Sequence, residues 1–490
     1  MTRFRCWLLA LMLGFLGPFG AVHAADYKQG VESGNDSALI WFQSTLNTTW
    51  VDLHYQVDHG VQQNVRMQAE GGRFVHRLGA RTGQVLHYFF TYNNGTPAYD
   101  SPRHTATVGA GNGSPPPAPP PPTTGAMRLQ LVNGTGGAWS DQQVWWAVIG
   151  YDPVTRALSW VDRNGRLVPA ALGDNDAPNR LVKNGQNYAN YFSRLSDSAG
   201  VPLPRIDSGR MFISVGSPMY IRINQAADGR LGFAGPNLGN PSDPNQDVHF
   251  EWIEFTLDQY GYHGNTTRVD QFGFPLRTRL VGRDGYDRTL GETESRAKIF
   301  ADFEAQVPAE FRPLVQRPWR IVAPAKAHFN HGKPQGHYFD AYVDEVWNHY
   351  RNNELVFTAE AGTFRGRVIG EDFVFSKDGG PANLYIRGRP TTQAILEGSG
   401  NLATGNPQEL VVQAQITAAF NRHLLVHVDP SRWSDASAYY PRSPANHYAK
   451  FWHDHSLHGL AYGFCYDDVR GHSSLQEHPD PSSLTVTVGW

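Results

Sequence analysis

Residues 109–126 read GAGNGSPPPAPPPPTTGA, and a chain carrying such a run cannot fold around one continuous core. Proline has no amide hydrogen and a fixed φ, so consecutive prolines fit neither a helix interior nor a sheet and run as an extended polyproline spacer. The run is therefore expected to be a linker, 109–126, that separates two folding units, 26–108 and 127–490. A further boundary stands at the start. In MTRFRCWLLALMLGFLGPFGAVHA, Arg3 and Arg5 precede an apolar run that ends in small residues, the pattern of a secretory signal peptide over 1–24 with cleavage near Ala24.

Export and a mature form outside the cell follow as expectations. No later run approaches the roughly 20 continuous apolar residues of a membrane helix, so no membrane partner is expected. The formal net charge is -3 and becomes two units more negative once Arg3 and Arg5 leave, which argues against a nucleic-acid surface. Cys6 leaves with the leader, so Cys465 would stand alone and no disulfide is expected to staple the mature chain. A unit of this size needs none, and a monomer is expected.

Unit 26–108 consists of short alternating runs such as SALIWFQST and LHYFFTYNNGTPAYDS, broken by Gly, Asn and Pro. That spacing predicts a small antiparallel β-sandwich. In WVDLHYQV the alternation puts Val51, Leu53, Tyr55 and Val57 toward a core and Trp50, Asp52, His54 and Gln56 on the other face. Trp50 is thereby a candidate sugar-stacking platform. Beyond the linker the pattern is strand and turn to about residue 290 and then acquires a helical period. Phe339, Tyr342, Val343, Val346, Trp347 and Tyr350 form one stripe, and QELVVQAQITAAFNRHLL is a second helix candidate.

The stretch WIEFTLDQYGYHGNTTRVDQF, residues 252–272, carries the chemistry. In strand phase Trp252, Glu254 and Thr256 share a face, while Ile253, Phe255 and Leu257 face the core. With YGYHG as the turn, TTRVDQFGFP becomes a return strand that brings Asp270 opposite Glu254 or one step diagonal. Two carboxyls in unlike surroundings can hold different proton affinities, as hydrolysis of a glycosidic bond requires. A gap of about 6.5–9.5 Å would admit a water and imply inversion, whereas about 5 Å would imply a covalent path. An acid on such a strand more often pairs with a nearby base such as Arg268 or Arg277, and the residues alone leave both readings open.

FEWIEFT followed by NTTRVDQFGFPL resembles the signature of glycoside hydrolase family 64, the β-1,3-glucanases that include laminaripentaose-producing enzymes. The likeness extends to RLQLVNGTGG, SGRMFISVG, HYFDAYVDEVWNHY and NHYAKFWHDHSLHGLAYGFCYDDV. The resemblance implies a thaumatin-like β-barrel beside a mixed α/β domain, a wide groove between them, and an inverting enzyme that needs no cofactor. It places the general acid on Glu254, the general base on Asp270 and Thr256 toward substrate, while Trp252 is a candidate for substrate binding from the strand face it shares with Glu254. Unit 26–108 is similar to carbohydrate-binding module family 56, which implies β-1,3-glucan as the partner. The rival reading is a non-catalytic, thaumatin-like β-glucan-binding protein. HDHSLH, residues 453–458, lacks the spacing of a hydrolase zinc motif, so no metal is expected there. Asp467 and Asp468 read as structural or supporting acids.

Overall fold

The alternation in WVDLHYQV has the expected consequence: Val51 and Leu53 are fully buried, and Tyr55 and Val57 pack against the same cluster. The structure, a computed structural model, describes residues 27–109 apart from 35, 45–47, 59–62, 94–97 and 102–103, and residues 126–490 apart from 228. The leader and most of the linker lie outside the described residues.

In the first unit the strands Tyr27–Ser33, Ser37–Ser44, Arg73–Gly79 and Gln68–Glu70 form one antiparallel sheet in that order. Gln63–Arg66, Val51–Val57 and Val85–Asn93 form the other, with Ala98–Asp100 and His104–Thr107 both pairing with Val85–Asn93. Ile40 and Phe42 from the first sheet meet Leu53, Leu86 and Phe90 from the second in one core, so the unit is a β-sandwich. Trp50 lies outside that core. It is half-buried, and the Arg66 guanidinium lies 4.5 Å from its ring centroid while also bridging to Asp52.

The second unit is built on a long antiparallel sheet ordered Leu167–Pro169, Leu158–Val161, Val144–Tyr151, Ile206–Val215, His249–Asp258, Gly261–Thr266, Gln476–His478. A five-stranded sheet covers one face, and there Met127–Asn133 runs parallel to Pro481–Val488. Val148, Ile213, Ile253, Phe255, Leu276 and Val486 fill the space between them. The barrel expected from the resemblance is corrected here: among the described residues the two sheets stay open and packed face to face, and no strand joins their edges into a closed path. The other face of the long sheet, which carries Phe212, Phe250 and Trp252, is also covered, by Ile223 and Phe233 of the hairpin Arg222–Gln225, Leu231–Ala234. Burial on both faces explains why the central strands are apolar nearly throughout.

The helical period resolves into Arg296–Gln306, Asp340–Asn352, Thr392–Glu397, Pro407–Asn421 and His447–His455. Tyr342, Val343, Val346, Trp347 and Tyr350 are the buried residues of Asp340–Asn352, as the stripe predicts. Asn406 caps Pro407–Asn421 with a reciprocal bond from Glu409, which satisfies amides that the first turn leaves open. These helices pack on the meander Leu355–Ala359, Gly362–Ile369, Asp372–Lys377, Leu384–Ile386 in a separate core. Phe272 belongs to that core whereas Phe255 belongs to the two-sheet core. The chain therefore dips into the helical part at Phe272 and returns to the two-sheet core at Phe274 and Leu276. Cys465 packs beside Phe464 and Tyr466. The expectation that Cys465 stands alone turns on Cys6, which lies outside the described residues.

One glycine controls how the crossing begins. Gly261 adopts φ +124°, and a Cβ there would stand 2.0 Å from the His478 carbonyl oxygen. Gly261→Ala should destabilise the protein by more than about 1 kcal/mol and lower any activity that depends on this hairpin. Thermal unfolding and turnover measured together check it, and wild-type values for both would refute it.

Candidate active site

Glu254 sits in mid-strand on His249–Asp258, between Arg210 on one neighbouring strand and Asn265 on the other. The return strand begins earlier than the sequence suggests. Gln259 and Tyr260 make the turn, with the Tyr260 amide donating to Asp258 Oδ1 at 2.7 Å, and Gly261–Thr266 runs back. YGYHG is thus largely strand, and Asp270 is not across the ladder from Glu254. It lies on the bend beyond the strand end, immediately before Gln271–Phe272 pairs with Arg320–Val322. Gly261 tolerates a turn that most residues cannot enter, and this shortens the loop.

Buried charge fixes the bend. Arg268, 1% exposed, places Nη1 3.1 Å from Glu251 and Nη2 2.7 Å from Glu292. Its amide donates to the Tyr462 carbonyl at 2.8 Å, and its own carbonyl accepts from the Tyr448 hydroxyl at 2.7 Å. Burial works against the guanidinium charge, but the two carboxylates outweigh it and hold its pKa well above the usual value. Glu251 answers in the opposite sense: burial pushes its carboxyl up to about 7, against the pull of Arg268 and the Gly273 amide. Gln271 then donates to the Phe250 carbonyl at 2.6 Å, and a Cβ on Gly273 would stand 2.3 Å from that same oxygen. The segment after Asp270 is therefore pressed directly onto the strand that carries Glu254.

The two acids stand in different electrostatic settings. Glu254 forms an ion pair with Arg210, both side chains 21% exposed. Asp270, 34% exposed, meets the Lys326 ammonium at 3.0 Å, and its carbonyl accepts from the Ala323 amide at 2.9 Å. Glu254 is thus presented by the sheets and Asp270 at the junction with the helical part. Arg210, Lys326 and Asn265 were not singled out from sequence, because their relevance depends on register and on contacts between distant segments. Tyr462 links the surroundings: burial, then the fields of Asp468, Asp467 and Glu254, keep its hydroxyl protonated well beyond the ordinary range.

Other sequence candidates take different places. Trp252 is 4% exposed, stacked on Phe250 at 5.9 Å with Arg210 5.4 Å from its ring centroid, so it is packing rather than an open sugar surface. The Thr256 hydroxyl accepts from the Ser208 amide at 3.1 Å, holding the bulge that precedes Arg210. Its 9% exposure leaves little area for a ligand. Asp467 is fully buried between Arg422 at 3.1 Å and His453 at 2.9 Å. Asp468 lies beside it with its carboxyl raised to about 7 by burial. From HDHSLH, His453 joins that network while His455 turns to Glu294. Glu294, Asp302 and His455 converge, but the Lys298 ammonium already bridges both acids, 2.7 Å from Glu294.

Residues 125–488 match the family model described as beta-1,3-glucanase, that of glycoside hydrolase family 64, and residues 29–101 match that of carbohydrate binding module family 56. A glucan endo-1,3-beta-glucosidase of Cellulosimicrobium cellulans is 32% identical over 300 residues, 59% of this chain and 54% of the relative. The chain thus spans about half the length of the curated relatives it matches. The crystal structure of a beta-1,3-glucanase domain from Clostridium beijerinckii aligns with TM-score 0.73 and 46% identity, covering 76% of this chain and all of that one. The laminaripentaose-producing beta-1,3-glucanase of Paenibacillus barengoltzii, solved with laminarihexaose, aligns with TM-score 0.60 and 42% identity over 95% of this chain and 100% of that chain.

The buried triad makes a testable demand. Between about pH 4.5 and 7 the folded chain keeps a proton on Glu251 that the unfolded chain has released. The contribution of this group to stability therefore falls as pH rises through that window. Relative to wild type, Glu251→Gln should gain unfolding free energy as pH rises from about 4.5 to about 7.5. Denaturant titrations at both pH values measure the difference, and a pH-independent gap would contradict the assignment.

Proposed function

The chain belongs to the β-1,3-glucanases of glycoside hydrolase family 64, and on that premise we propose that it hydrolyses β-1,3-glucan to soluble oligosaccharides by a single inverting displacement. Glu254 donates a proton to the leaving glycosidic oxygen, and Asp270 takes one from the water that attacks the opposite ring face. The observation that carries this reading is the placement of the two acids. They come from different parts of the fold, each beside its own cation, so one carboxyl can act on either side of a linkage lying across the junction. No cofactor enters the scheme.

The open two-sheet part stands for the thaumatin-like portion of the family architecture, and the substrate groove runs along its boundary with the helical part. A polymeric β-1,3-glucan substrate and the leader-like pattern of residues 1–24 agree with action outside the cell after cleavage near Ala24. Units 26–108 and 127–490 divide the work, the first holding insoluble glucan and the second cutting it. Laminaripentaose is the product suggested by the named Paenibacillus relative. The non-catalytic alternative gains no support, because the relatives and solved structures that the chain resembles are β-1,3-glucanases.

Glu254→Gln and Asp270→Asn should each lower release of reducing sugar from laminarin by about 10²–10⁴-fold with the fold intact by circular dichroism. Either variant turning over normally would overturn its assignment. The first product formed should be the α-anomer by proton NMR, and a β-anomer would mean retention. Deleting 26–108 should weaken adsorption to curdlan while barely changing hydrolysis of short soluble chains, and equal losses on both would refute the division of labour.

A further inference from the structure

We propose that Lys326 is the positioning residue for the general base, holding one oxygen of Asp270 so that the other meets the attacking water. The inference rests on the reading of Asp270 as the base. Its physical starting point is that Lys326 and Asp270 make an ion pair that stability alone does not explain. The lysine side chain is 10% exposed and its ammonium lies 3.0 Å from Asp270 Oδ1. The ammonium is largely withdrawn from water while the Asp270 carboxyl is 34% exposed, so desolvation of the lysine offsets much of what the pair returns. Its value lies in fixing geometry.

The surrounding structure delivers the ammonium with little freedom. Lys326 ends the short turn Pro324–Lys326, in which proline sets the first φ and the Lys326 amide donates back to the Ala323 carbonyl at 3.0 Å. Ala323, Pro324 and Ala325 are buried. The same turn holds the backbone of Asp270, because the Ala323 amide donates to the Asp270 carbonyl at 2.9 Å. One rigid segment thus grips the main chain and the side chain of the acid together. Behind the pair, Lys326, Glu397, Asn446 and Val269 line a small enclosed cavity. Of the other charges close by, Glu397 accepts from Gln393 and Ser399, and Arg268 is committed to Glu251 and Glu292, while Tyr448 is committed to the Arg268 carbonyl.

A carboxylate acting as a general base needs one oxygen aimed at the water, within about 2.6–3.2 Å. Rotation about χ2 would otherwise exchange the two oxygens and spread that aim over a range of angles. An ammonium on Oδ1 selects one orientation and leaves Oδ2 for the proton. No bond is made or broken at Lys326 itself; the proton passes from water to Asp270.

The test uses the full chain and soluble β-1,3-gluco-oligosaccharides. Lys326→Met should lower kcat by about 10–100-fold with KM within about twofold, because loss of aim costs turnover rather than binding. Lys326→Arg should recover at least tenfold of that loss, and methylammonium ions should partly rescue Lys326→Ala. A merely structural lysine would instead give a lowered Tm, matching losses on every substrate, and no response to the added cation. Asp270→Asn runs alongside. Normal turnover by Asp270→Asn would sink the base assignment itself, while an inactive Asp270→Asn beside a fully active Lys326→Met would sink only the role of Lys326.

Discussion

A guanidinium buried between two carboxylates holds the catalytic unit in its working shape. Arg268 bridges Glu251 on the strand that carries Glu254 and Glu292, which follows the five-stranded sheet. Its backbone is tied at the same time to Tyr462 and Tyr448 from the C-terminal segment. Such a group is costly to desolvate and tolerates little displacement once its partners are in place, since a shift would leave a charge unpaired in a dry interior. Arg268 therefore fixes the route of the chain at the point where it touches the helical part before returning to the five-stranded sheet. Asp270, two residues on, inherits that fixed position.

From this constraint follows the separation of the two acids. Had Asp270 lain on the return strand, both carboxyls would have shared one sheet surface and one set of neighbours. Placed on the bend, Asp270 takes a lysine from the helical part while Glu254 keeps an arginine from the sheet. Different surroundings are what allow chemically similar groups to serve as acid and base. Arg320 reinforces the arrangement from the other side, donating to the carbonyls of Asn245, Gln246 and Val248 just ahead of the strand that bears Glu254.

Much of the architecture is legible in the chain itself because local rules govern it. Period-2 alternation places Val51 and Leu53 inward, and period-3.6 repetition places Tyr342, Val346 and Trp347 inward. Glu254, Phe250 and Trp252 lie on the face expected of them, with Ile253 and Phe255 opposite. Reading was less successful where the outcome depends on two-sided burial. Trp252 looks like a sugar platform in a list of residues, yet hairpins cover that part of the sheet and seal it. Trp50 sits on the predicted face, but a cross-strand arginine occupies one side of its ring. The barrel also did not close, a property of edge-to-edge registry that no single strand encodes.

The sequence by itself determined that a proline-rich run lies between residues 109 and 126, that alternating strands precede a helical section, and that Glu254 and Asp270 are among the carboxylates of the diagnostic stretch. These follow from backbone stereochemistry and side-chain periodicity, which act over a few residues. Only the tertiary structure decided that Gly261 turns the chain early, that Asp270 belongs to a bend, and that Arg210 and Lys326 supply the separate cations. Those outcomes depend on steric contact and Coulomb attraction between segments far apart in the chain, which come within range only after folding.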